Sequence, residues 1–207
     1  MANVNRPMGI RPSRYLDGTQ WNGQAALYYF HASQANDAYI YDLVTFDATN
    51  RGSGTTDPYA SGIPAAAPVT AALTTNKFRG IIVGFLVQPD FNMSVTASLG
   101  LKYRQASTAR YGWIMEDQAV LCEAQESGTA MGIANISNNI DILYTAGSQT
   151  TGVSKVQIDT STKTAAAVKP LRLYRYSQII GNEPGNTNAK WDVTINNSDL
   201  VPGSNGI

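Results

Sequence analysis

The sequence is short of the side chains on which most enzyme chemistry relies. Of 207 residues, His31 is the only histidine, Cys122 is the only cysteine, and 14% are charged. A lone cysteine cannot pair within the chain, which excludes a disulfide framework and any zinc site built on two or more cysteines. Fifteen basic residues balance fifteen acidic ones, so no long-range field favours nucleic acid, whose non-specific binding needs several phosphate contacts at once. The longest apolar run, Gly80–Val87, is far below the ~20 residues of a membrane-spanning helix. It reads as a buried strand, and no membrane partner is expected. The opening residues 1–10 lack the apolar stretch of an export signal and point to synthesis in the cytoplasm.

The space is filled instead with Thr, Asn, Ser, Gly and Tyr around a 43% hydrophobic content. Length favours one domain, since domains commonly run ~100–200 residues. Short apolar runs alternate with turn residues at period two, the strand signature. Trp191, Val193 and Ile195 share one face, with Asp192, Thr194 and Asn196 on a wet one. Further strands are expected at 26–31, 40–46, 140–144, 155–159 and 168–180. Residues 111–115 and 119–124 flank Glu116-Asp117-Gln118, a spacing that predicts a hairpin. Helix is confined to possible turns near 33–38 and 130–136. The fold class is all-β: a β-sandwich, jelly roll or barrel-like body with extended terminal arms.

Three segments stand apart from that body, which spans residues 23–199. Residues 1–22 carry Pro7, Pro12, Arg6, Arg11 and Arg14 without apolar periodicity and read as an extended N-terminal arm. Ordering twenty-odd residues costs roughly 20–40 kcal/mol of backbone entropy, so a neighbouring subunit is expected to hold the arm, and its removal is expected to leave the body folded. Residues 47–67 form a long loop excursion of the kind that makes contacts. Residues 200–207 form a C-terminal tail.

No set of side chains converges on catalysis. His31 ends an apparent strand, and a lone histidine needs a nucleophile or carboxylate partner to act as a base. Cys122 alternates with Val120 and Ala124 as a small buried residue. Glu116 and Asp117 read as a solvated turn without calcium-ligand spacing, and Glu123 and Glu126 suggest nothing more. Gly80 and Gly84 mark a bulge or close strand packing rather than a cofactor loop. No cofactor and no metal is implied. The tyrosines crowding the first third suit a protein interface, or less well a glycan platform. Arg104, Arg110, Arg172 and Arg175 could serve intersubunit carboxylates.

The stretch Tyr103-Arg-Gln-Ala-Ser-Thr-Ala-Arg-Tyr111, followed by Glu116-Asp-Gln and Glu123-Ala-Gln-Glu126, resembles a segment of structural proteins from tailed-bacteriophage virions. Pro7-Met-Gly-Ile-Arg-Pro12, Leu16-Asp-Gly18, Thr151-Gly-Val-Ser154, Ala189-Lys-Trp-Asp-Val193 and Asn196-Asn197 resemble the same family, so the likeness runs end to end. The resemblance implies an auxiliary capsid protein of the cement or decoration type, non-enzymatic, bound to the outer capsid surface through the major capsid protein, with trimers favoured. The contact residues expected on this reading are Arg6, Pro7, Arg11, Pro12, Arg14, Tyr15, Trp21 and Tyr59. A tail, connector or fibre-attachment protein, or a glycan-binding adhesion module, would share the composition.

Overall fold

A computed structural model describes residues 3–50, 62–70, 77–86 and 102–200. It contains eleven strands and, among the described residues, a single 3-10 turn at Ile133–Asn135. In chain order the strands are β1 (Arg11–Tyr15), β2 (Ala26–Phe30), β3 (Leu43–Phe46), β4 (Ala66–Pro68), β5 (Gly80–Phe85) and β6 (Arg110–Met115). They continue as β7 (Val120–Ser127), β8 (Asn139–Leu143), β9 (Gln157–Thr164), β10 (Leu171–Tyr176) and β11 (Lys190–Ile195).

Two sheets form. One has the order β1-β7-β11-β10-β8-β9 and closes on itself, because β9 also runs parallel to the end of β7 at Glu126↔Ile158 and Ser127↔Asp159. The other is antiparallel, β2-β6-β5-β3-β4. The body is therefore all-β and barrel-like, with a sheet packed against the barrel. Closure removes sheet edges that would otherwise template unwanted pairing.

The inward positions are the ones that period two selects. Cys122, Ala124, Ile140, Ile142, Ile158, Leu171, Leu173, Trp191, Val193 and Ile195 are buried in one apolar cluster, joined by Leu43, Ile81 and Met115 from the second sheet. Each large aliphatic side chain removed from water there contributes ~1.5–3 kcal/mol. The opposite face of the second sheet buries Tyr28, Phe30, Val44, Ile82 and Ile114.

Several expectations need correction. Residues 111–115 and 119–124 are not a hairpin: β6 pairs with β2 and β5, whereas β7 pairs with β1, β11 and β9. The residues between them carry the chain from one sheet to the other. A short polar loop looks the same in sequence whether its strands pair or part. The run 33–38 forms no helix. The strand expected over 168–180 is confined to β10, with a bulge between Leu173 and Arg175. The outward face of β11 is not wholly wet, since Asp192 is fully buried beneath Arg175, 2.9 Å away.

The N-terminal segment is extended, but it is bound to its own body. Arg11–Tyr15 is a strand on β7, and Ile10 is fully buried with its N–H on the Tyr41 carbonyl. Before it, Gln125 donates to the Val4 carbonyl and accepts from the Arg6 N–H, and Asn3 exchanges two hydrogen bonds with the Glu183 backbone. The ordering cost is met within the chain, and removing residues 1–22 would strip a strand from the sheet. The return of the 47–67 excursion is likewise tied down: the Pro64 and Ala65 carbonyls accept from Tyr29 and Asp47, and β4 begins at Ala66. Residues 51–61, and 201–207 of the expected tail, lie outside the described residues.

Gly80 and Gly84 behave as read. Gly84 follows a register shift between β5 and β6, and a Cβ on Gly80 would lie 2.2 Å from the Met115 carbonyl oxygen.

Two buried polar residues brace the loops. Arg104, fully buried, donates to the carbonyls of Thr108 (2.8 Å), Asn36 (2.6 Å) and His31 (2.8 Å); burial pulls its guanidinium down to about 10. Asp42 accepts the Tyr39 N–H at 2.8 Å where β3 begins, and burial pushes its carboxyl up to about 7. Arg104→Ala is expected to cost about 3 kcal/mol or more, because three carbonyls lose their donor; urea unfolding at unchanged m-value checks this. For Asp42, the folded state holds a proton between pH 3.8 and about 7 that the unfolded state has released. Its contribution therefore falls as pH rises through that window and levels off above it. Melting temperature against pH is expected to be flatter across the window in Asp42→Asn than in the parent.

Candidate functional site

A groove of about 760 Å³ runs along β1. The chain reverses at Asp17-Gly18: the Asp17 carboxylate accepts from the Thr19 N–H (2.9 Å) and hydroxyl (2.7 Å), and Gly18 adopts φ +92°. These hydrogen bonds hold the exposed Asp17 carboxyl below its ordinary value. The returning strand pairs back through Tyr15 N–H to Thr19 and Trp21 N–H to Ser13, which covers the outer edge of β1. The groove is lined by Arg11, Pro12, Ser13, Arg14, Gly18, Gln20 and Trp21 of this unit, with Tyr41, Glu123, Ile179 and Lys190 from elsewhere.

Register sets its electrostatics. Arg11, Glu123, Asp192 and Arg175 sit opposite one another in a row across four neighbouring strands. Asp192 is taken by Arg175. Glu123 accepts from the Ser177 hydroxyl at 3.1 Å and lies 3.2 Å from Lys190 Nζ. Among the described residues neither Arg11 nor Arg14 has an ion-pair partner, so the groove carries uncompensated positive charge. Trp21 is its apolar wall, and its indole Nε1 is buried without a hydrogen-bond partner among the described residues. The other side of Trp21 borders a second groove of about 570 Å³, lined also by Gln24, Val83, Gly84 and Trp113. Trp113 is 38% exposed.

Of the expected contact residues, Arg11, Pro12, Arg14 and Trp21 thus come together. Tyr15 hydrogen-bonds Asn22 at 3.0 Å beside them. The Arg6 side chain is exposed and Pro7 half-buried further along the segment, neither lining the groove. Tyr59 lies outside the described residues. Sequence reasoning missed Glu123, Lys190 and Ile179. The alternation around Cys122 already put Glu123 on the outer face, but nothing local signals which distant strand lies beside it.

The other chemically suggestive residues serve the framework. His31 follows β2 and its Nδ1 accepts the Ser33 N–H at 3.1 Å. Glu126, read as uninformative, points into the barrel and accepts from Trp191 Nε1 (2.9 Å), Ala189 N–H and Met131 N–H (both 3.3 Å); burial raises its carboxyl. Glu116 accepts the Tyr28 hydroxyl and lies 4.0 Å from Arg79, so the turn is not merely solvated. The tyrosines expected at a surface include Tyr28, Tyr29 and Tyr39, which are buried. Arg104 and Arg110 bond backbone carbonyls, and Arg175 bonds Asp192, so of the four arginines expected at subunit contacts only Arg172 is exposed and free of such an anchor among the described residues.

No family model, no curated protein and no solved structure matches this chain.

Burial drives the Cys122 thiol well above its ordinary value. A thiolate-selective reagent at pH 8 is expected to leave the native protein unlabelled and to label one thiol per chain once it is unfolded; rapid native labelling would make Cys122 a reactive site.

Proposed function

We propose that this chain is a non-enzymatic structural protein of the virion cement or decoration type, docking on the major capsid protein of a phage head through the β1 groove. The observation that carries the reading is the pair of uncompensated arginines, Arg11 and Arg14, flanking Trp21 in a groove on a braced β framework. Arginine forks suit carboxylates and carbonyls on a protein partner, and an indole with an unused N–H adds area and one donor. Overall neutrality leaves affinity to shape and apolar contact more than to steering. Trimeric assembly comes from the resemblance to virion proteins and belongs to the same proposal.

Quantitative mass spectrometry of purified particles tests the assignment. A copy number comparable to the major capsid protein is the expected outcome; a small fraction would favour a tail or connector role, and absence would sink the virion reading. The double variant Arg11→Glu/Arg14→Glu is expected to bind particles on the order of tenfold more weakly with unchanged thermal unfolding, since reversed charges meet like charges on the partner.

A glycan-binding reading has one specific support, the second groove between Trp21 and the exposed Trp113. Quenching or a shift of tryptophan fluorescence by oligosaccharides, lost in Trp113→Ala, would favour it over capsid docking.

A further inference from the structure

We propose that Lys169 and Asp141 form an intramolecular isopeptide bond. Lys169 Nζ lies 2.5 Å from Asp141 Oδ2, and both residues are more than nine-tenths buried. A buried ion pair is tolerated when its remaining donors and lone pairs are also satisfied. This one is not: among the described residues Asp141 Oδ1 is buried without a partner and Asp141 Oδ2 is the sole acceptor for Nζ. Condensation removes the difficulty, because a neutral amide replaces two desolvated charges and the water formed leaves for bulk solvent.

The step balances within the chain. The ammonium gives up a proton, the Nζ lone pair attacks Cγ of Asp141, and a C–N bond forms. One C–O bond then breaks, and that oxygen departs as water with two of the three ammonium protons. Positive and negative charge cancel, and no oxidant, reductant or activating group is consumed. Proton transfer needs a nearby carboxylate that takes the ammonium proton and returns it to the departing oxygen. Asp159 on β9 stands directly opposite Asp141 on β8 in the antiparallel register, so both carboxylates belong to one face. Asp159 is half-buried and oriented by the Ser161 N–H (3.0 Å) and hydroxyl (2.7 Å). We assign it the proton-relay role.

The position has a mechanical consequence. β8 and β10 pair at Leu171↔Ile140 and Arg172↔Asn139, and the junction continues through Leu173 N–H to the Asn138 carbonyl and Ser137 N–H to the Leu173 carbonyl. Lys169 stands just before β10 and Asp141 within β8, so a covalent bond between them would lock the β8–β10 junction against shear.

Intact mass measured on the full-length, denatured protein decides the matter. The expected mass is below the sequence mass by one water, with a branched peptide joining the segments that contain 141 and 169 after proteolysis. Asp17-Gly18 can also lose water by closing to a succinimide, so a deficit that maps there, or to any other site, overturns the proposal, as does the full sequence mass. Lys169→Arg and Asp141→Ala are expected at their full sequence masses. Asp159→Ala, which keeps both reacting groups, is expected to accumulate the uncross-linked form; complete cross-linking in that variant would remove Asp159 from the relay role.

Discussion

Buried backbone groups must find hydrogen-bond partners, and in a chain so rich in connecting segments this constraint governs the structure. Strand ladders satisfy the barrel and the second sheet. Among the described residues the segments between them hold a single 3-10 turn, and polar side chains supply what longer helices would have provided. Arg104 serves three carbonyls from two loops, and Glu126 gathers three N–H groups at one end of the barrel. Gln125 does the same for the N-terminal segment with one acceptor and one donor. Arg104 and Glu126, two of the scarce charges, thus act as internal braces.

The same economy shapes the candidate surface. Glu123 and Asp192 face outward on neighbouring strands and would repel if left bare; Lys190, Ser177 and Arg175 neutralise them. Among the described residues Arg11 and Arg14, on the strand beside β7, receive no such ion-pair partner. The Asp17-Gly18 turn pairs the returning chain with β1 and blocks simple strand addition there, so the docking proposed at this groove would fall to side chains. A docking surface of side chains on a braced framework loses little conformational entropy on binding.

The period-two runs made the all-β class legible, and the cores of β2, β8 and β11 stand near where alternation put them. Alternation of Val120, Cys122, Ala124 and Glu126 also set which side chains enter the barrel. Glu126 was legible as an inward position but not as a braced one, because its donors come from Trp191, Ala189 and Met131, which only folding brings near. Of the arginines in residues 1–22, expected as contact donors on the resemblance to virion proteins, Arg11 and Arg14 line the groove and Arg6 does not. The tyrosines of the first third misled because their amphipathic rings suit a core and a surface equally, and burial is a property of the neighbours.

The sequence by itself determined the local terms: strand periodicity, the absence of paired cysteines and the small stock of ionisable groups. These depend on residues a few positions apart, so they can be read along the chain. Tertiary structure alone decided that β6 and β7 part into different sheets, that Arg11–Tyr15 adds a strand to β7, and that Lys169 meets Asp141. Each of those outcomes depends on which distant segments share a sheet or a seam, and a strand's own alternation says which face is buried but not what lies across from it.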